Sequence, residues 1–162
     1  MSAAELWRVA GRVADPEMPM LTLGDLGILR DVEERDGRVV VTVTPTYSGC
    51  PAMDAIRADL RAALREAGYG DVEIRVSLSP PWTTDWIGPD GRRKLAESGI
   101  APPGPAPRPA GPVPVTLGRP RPPCLRCGAQ DTEEISRFGP TACTALWRCR
   151  VCHEPFEHVK EI

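Results

Sequence analysis

The sequence predicts an α+β (α/β) fold: a small three-stranded mixed sheet with flanking helices, followed by a separate four-cysteine ribbon. Three observations carry this. Helical and strand patterns alternate through the first hundred residues. Ten of the 19 prolines crowd between Pro102 and Pro123, and four of the six cysteines form two Cys-x-x-Cys pairs near the end of the 162-residue chain. Proline at that density removes N–H donors and is excluded from helix and sheet interiors. Residues 101–123 are therefore expected to be an extended, semi-rigid spacer between a domain at 1–100 and one at 124–162.

Each element has its own signal. Ser2 with Glu5 three residues on is a capping box, opening a helix to about Val13. Asp15-Pro16-Glu17-Met18-Pro19 breaks it. Leu26 to Glu34 reads as a strand, Asp36-Gly37 as a hairpin turn, and the β-branched run Arg38 to Thr44 as the returning strand. From Pro51 to about Ala67, Met53, Ile56, Leu60, Ala63 and Leu64 recur at helical spacing. Proline suits the first turn of such a helix and Gly68 its end. Val72, Ile74, Val76 and Leu78 alternate and give a third strand. If this strand lies parallel beside the second, the crossover through the helix is right-handed. Asp90 to Ser98 reads as one more short helix, stopped by Gly99.

Composition excludes several function classes. Lys and Arg number 20, Asp and Glu 22, for a net charge of −2. Residues 1–100 carry 12 basic and 16 acidic side chains, and residues 101–162 carry 8 and 6. Neither half has the strongly basic face of a nucleic-acid binder. No apolar run reaches the roughly 18 residues of a membrane span, and the N-terminal residues lack a secretory pattern. No partnership with nucleic acid or membrane is expected, and the cytoplasm is the expected compartment. Only two histidines occur, both beyond residue 150, with no Glu-x-x-His pair, so the chain cannot house a ferritin-like di-iron centre. Neither a P-loop nor a dinucleotide-binding glycine fingerprint is present.

The strongest chemical signal is Cys124-Leu-Arg-Cys127, 21 residues, then Cys149-Arg-Val-Cys152. Under a reducing poise such pairs read as metal ligands rather than disulfides. Four thiolates close a tetrahedral shell around Zn²⁺; an iron–sulfur cluster accepts the same donors. Cys143 reads as a small buried residue, and His153 as exposed or supporting a ligand. Trp82 and Trp86 read either as a surface anchor for a partner or as a staple over the sheet. For Cys50, between Gly49 and Pro51, two readings stand. It is a packed cysteine in a tight loop, or a thiolate whose pKa is lowered by the start of the following helix. The short strands leave a sheet edge open for pairing, so a homodimer is a further possibility.

Asp15-Pro16-Glu17, Leu26-Gly27-Ile28 and Thr44-Pro-Thr-Tyr-Ser-Gly-Cys50-Pro51 resemble the SufT-like domain of iron–sulfur assembly proteins. Pro80-Pro-Trp-Thr-Thr-Asp-Trp86 and the stretch from Gly99 to Pro103 extend the match. With Phe138-Gly-Pro-Thr-Ala-Cys143 and Cys149-Arg-Val-Cys-His-Glu-Pro-Phe156, the resemblance narrows to the D (or J) subunits of phenylacetyl-CoA epoxidase systems. One departure is Pro140, where serine is expected. The resemblance implies an accessory subunit of aerobic phenylacetate degradation rather than the catalytic chain. Its partners would be the oxygenase and reductase components, in one of which it would assist iron or iron–sulfur assembly. It further implies that Cys50 is the functional thiol, a transient metal or cluster ligand with Asp15, Glu17 and Thr46 around it. Cys124, Cys127, Cys149 and Cys152 are implied to hold structural zinc. A scaffold role, with the ribbon holding the complex together and Cys50 inert, is the competing reading.

Overall fold

The computed structural model describes residues 2–106 and 120–162. The chain forms two compact units, Met1–Gly91 and Arg92–Ile162.

In the first unit, α1 (Ala3–Gly11) opens on the expected capping box. The Ser2 hydroxyl accepts from the Glu5 N–H at 3.3 Å, and the Glu5 carboxylate accepts from the Ser2 N–H at 2.7 Å. The helix stops two residues earlier than its pattern suggested, because Val13 and Ala14 are recruited elsewhere. The Leu23 N–H donates to the Val13 carbonyl, and Ala14 bridges Thr22. The strand expected from Leu26 starts only at Leu29. Thr22 and Asp25 form a second capping box that nucleates a four-residue helix, α2 (Leu23–Leu26). Gly27 then turns the chain at φ 68°, where a Cβ would lie 2.6 Å from the Trp86 carbonyl oxygen. Only glycine fits there.

Strand β1 (Leu29–Arg35) pairs antiparallel with β2 (Arg38–Val43). Asp36 and Gly37, at φ 53° and 80°, supply the left-handed pair that a two-residue hairpin requires. β2 is central: Val39, Val41 and Val43 are fully buried and Val40 nearly so. Helix α3 (Met53–Glu66) crosses to β3 (Val72–Val76), which runs parallel beside β2 and completes the mixed sheet β1-β2-β3. Met53, Ile56, Leu60 and Leu64 make the buried stripe of α3. The helix ends with the Tyr69 N–H on the Leu64 carbonyl and the Gly68 N–H on that of Arg65, the paired bonds of a Schellman motif. With Leu6, Ala10, Leu21, Leu23 and Ile28 these residues form the core.

Trp82 is buried, and its indole N–H donates to the Leu26 carbonyl at 2.8 Å. Arg30 lies over the Trp86 ring at 3.7 Å. The staple reading is therefore the right one for Trp82: its side chain is committed to the unit's own interior and is not a surface anchor.

Helix α4 (Pro89–Glu97) runs across the boundary between the units. The second unit is a four-stranded sheet, ordered β4-β7-β6-β5, from β4 (Ile100–Ala101), β5 (Thr132–Ser136), β6 (Thr144–Cys149) and β7 (Pro155–Val159). β4 pairs parallel with β7, Ala101 opposite His158. Ala101, the first residue expected to be spacer, thus belongs to this sheet. Gly104 is also held, its N–H on Glu161 Oε1 at 2.9 Å. Residues 107–119 of the expected spacer lie outside the described residues. Ala101, Ala145, Trp147 and Phe156 form the small apolar cluster on one face. On the other, Glu133 bridges Arg148 and Arg150. No helix among the described residues is long and apolar enough to cross a membrane.

Candidate metal centre and the Cys50 loop

Two tight turns carry the paired cysteines. In the first, the Gly128 N–H donates to the Cys124 carbonyl at 2.8 Å, and the Cys124 N–H to that of Ala129 at 2.9 Å. The second starts at the end of β6, where the Cys149 N–H donates to the Glu154 carbonyl at 2.9 Å. Inside this turn the Val151 and Cys152 N–H groups both aim at Cys149 Sγ, at 3.4 Å each. Arg126 of the first turn pairs with Glu154 of the second at 2.7 Å.

The turns converge all four sulfurs. Cys124 Sγ lies 3.7 Å from that of Cys152, Cys127 Sγ lies 3.6 Å from that of Cys149, and the whole set falls within 4.8 Å. Four sulfurs at about 2.3 Å from one ion stand about 3.8 Å apart at the corners of a tetrahedron. The observed spacing is therefore that of a single tetrahedral ion. A multi-iron cluster attaches its thiolates to different irons and spreads them further. The protonation pattern calls for a cation. The Cys152 and Val151 N–H groups draw the Cys149 thiol down to about 7. Cys152 is pushed up to about 12: the Glu154 N–H favours its thiolate, but burial and the three neighbouring thiols outweigh that. Without a cation the cluster tolerates little negative charge; a divalent ion lets all four sulfurs ionise.

The two histidines and Cys143 of this unit do not join the four-sulfur set. His153 is exposed. His158 is buried with Nε2 3.3 Å from Glu161 Oε1. Cys143 is buried, its sulfur 3.1 Å from the Thr141 hydroxyl, as expected of a packed small residue.

In the first unit, Cys50 sits half-buried on the loop joining β2 to α3. Thr46 lies half-buried four residues earlier on the same loop. The turn between α1 and α2 supplies the carboxylates. Asp15 is buried, and its Oδ1 accepts the N–H groups of Glu17 and Met18 at 2.9 and 2.8 Å. Asp15 thus shapes the turn, leaving Glu17 as its outer carboxylate. Burial and then the Asp15 charge push the Glu17 carboxyl above its usual range.

Sequence alone did not relate these carboxylates to the thiol; in the folded chain their charges reach it. Burial is the largest influence on Cys50 and raises its pKa, and the charges of Glu17 and Asp15 raise it further. The Ala52 N–H and the Tyr47 hydroxyl act against them. The net rise runs against the lowered-pKa reading and agrees with that of a packed cysteine in a tight loop. The helix responsible was to begin at Pro51, whereas α3 begins at Met53, after an Ala52 that provides no side-chain cap. Tyr47 is a partner that sequence reasoning missed, though it lies within the very motif that was singled out. Beside the thiol opens a groove of ≈ 440 Å³ lined by Pro45, Cys50, Met53, Arg57, Val76 and Leu78 among others.

Comparison with known proteins follows the same division. Residues 4–76 match the family described as "Iron-sulfur cluster assembly protein", and residues 109–160 match "PaaD zinc beta ribbon domain". An Escherichia coli (strain K12) protein, named as a putative D subunit of 1,2-phenylacetyl-CoA epoxidase, is 42% identical over 96% of this chain and 91% of its own length. A Porphyromonas gingivalis "Fe-S protein maturation auxiliary factor" is 33% identical over 56% of this chain and 88% of its own. The first unit also resembles a solved Bacillus anthracis domain of unknown function, DUF59. The TM-score is 0.53 with 26% identity, over 57% of this chain and 90% of that one. An assembly-type domain joined to a PaaD zinc ribbon, and near-full-length similarity to the Escherichia coli protein, place this chain in the PaaD family, the D subunits of phenylacetyl-CoA epoxidase.

Proposed function

We propose that this chain is a non-catalytic maturation subunit of a phenylacetyl-CoA epoxidase, assisting iron or iron–sulfur assembly in an oxygenase or reductase component. One observation carries the reading: Cys50, in the first unit, lies half-buried at the rim of an open groove and feels the charges of Glu17 and Asp15. The two sets of donors suit two tasks. Four clustered thiols hold one zinc ion permanently, and zinc binding supplies folding energy to a unit with a small core. A single thiol under the influence of two carboxylate charges, with no closed set of ligands around it among the described residues, cannot retain iron on its own. It suits a metal that is cargo rather than a resident cofactor. The raised pKa of Cys50 fits this: the thiol stays protonated until a cation arrives to replace its proton.

The test is Cys50→Ala in cells that depend on this chain for growth on phenylacetate. Epoxidase activity is expected to fall at least tenfold while the purified variant keeps one zinc per chain and the wild-type circular dichroism. Full activity with Cys50→Ala would contradict the reading and leave the scaffold role, in which Cys50 is inert and loss of a ribbon cysteine dissociates the complex.

A further inference from the structure

Strand β3 is an edge: among the described residues it pairs with β2 alone. The parallel ladder is pinned at both ends, by the Val39 N–H on the Asp71 carbonyl and the Ser77 N–H on the Val43 carbonyl, each at 2.9 Å. With Val39 opposite Val72 and Val43 opposite Val76, the backbone groups of the odd-numbered residues 71–77 face β2. Those of Val72, Ile74 and Val76 face outward. Three N–H groups and three carbonyls thus form a regular row of the kind that templates another strand.

The side chains specify which strand. Glu73 and Arg75 flank Ile74 on one face, both substantially exposed, and are paired with each other at 2.7 Å. On the other face Val76 is 38% and Leu78 59% exposed, unusual for apolar residues continuing a core strand. When two copies of β3 meet antiparallel about a two-fold axis through Ile74, Ile74 faces Ile74 and Val72 faces Val76. All three outward residues then fall in hydrogen-bonded positions, so every free group in the row is satisfied. The intervening positions set Glu73 of each copy against Arg75 of the other. These non-hydrogen-bonded pairs bring side chains closest, where opposite charges stabilise and like charges destabilise. The opposite edge lacks this self-complementarity. β1 is bulged between Leu29 and Asp31, and two copies meeting about Val32 would set Asp31 against Glu33.

We infer that β3 is a self-association edge: two copies of this chain join through antiparallel β3 strands into a continuous six-stranded sheet, selected by reciprocal Glu73–Arg75 pairs.

Sedimentation equilibrium of the full zinc-loaded chain tests this across a concentration series. The expected wild-type result is a reversible species of twice the 17.6 kDa chain mass. Arg75→Glu places carboxylate against carboxylate at both pairs and should weaken association at least tenfold, with an unchanged circular dichroism spectrum. The swap Glu73→Arg with Arg75→Glu restores opposite charges across the two-fold axis and should restore the dimer. A monomeric wild type overturns the inference and leaves the edge for a strand of another polypeptide. A dimer indifferent to Arg75→Glu, or one that the swap fails to restore, also overturns it.

Discussion

At the scale of single residues, the chemistry of Cys50 is set by its neighbours rather than by a helix. The thiol is held above its usual pKa by burial and by the Glu17 and Asp15 charges. Removing one charge should therefore lower that pKa. In Glu17→Gln the pH profile of Cys50 alkylation should shift to lower pH, with faster modification at pH 8, in zinc-loaded protein whose ribbon thiols are protected. An unchanged profile would mean that Glu17 does not act on the thiol. Trp82 offers a second residue-level test. Trp82→Phe keeps most of the ring but leaves the Leu26 carbonyl without its donor. Leaving a buried partner unsatisfied costs about 1–3 kcal/mol, measurable by urea unfolding. The four ribbon cysteines were legible because their spacing alone states a chemistry. The influence of the carboxylates on Cys50 was not, because Glu17 lies 33 positions before Cys50 and only in the folded chain does its charge reach the thiol.

At the scale of elements, the strands and α3 were readable because burial imposes periodicity. The valines of β2 and the stripe Met53, Ile56, Leu60 and Leu64 announce a buried strand and a buried helix face. Leu60→Ala should cost about 2–5 kcal/mol through lost transfer energy and an unfilled cavity, read as a lowered urea midpoint. Short elements escaped. α2 rests on one capping box, Thr22 with Asp25, and its leucines resemble the strand that follows. β4 is two residues long and exists only because β7 offers an edge. The end of β7 holds a titratable clamp. Glu161 is partly buried, which by itself would raise its pKa, yet His158 and the Gly104 N–H hold it at about 2. A carboxyl depressed from the ordinary value of ~4.3 adds stability that is present above that pH and is lost as pH falls toward about 2. Glu161→Gln should lower the melting temperature at pH 7 and remove this component of the acid-side loss. Melting curves between pH 7 and pH 2 check both.

For the molecule as a whole, the proposed function divides the labour between a unit that holds a metal and one that handles it. The second unit has a small core, and its sulfurs sit at the spacing of one tetrahedral ion. Cys149→Ser should therefore abolish zinc binding, from one ion per chain to none by elemental analysis. It should melt the β5–β7 amide signals while those of β1–β3 persist. The first unit brings its own core and should remain folded without zinc.

The central claim is that Cys50 serves metal delivery to a partner. The most direct test is the iron content of the oxygenase and reductase components purified from cells carrying either wild-type chain or Cys50→Ala, at equal expression. Maturation predicts that at least one component is iron-depleted with Cys50→Ala. Components equally loaded with iron in both strains would contradict the account.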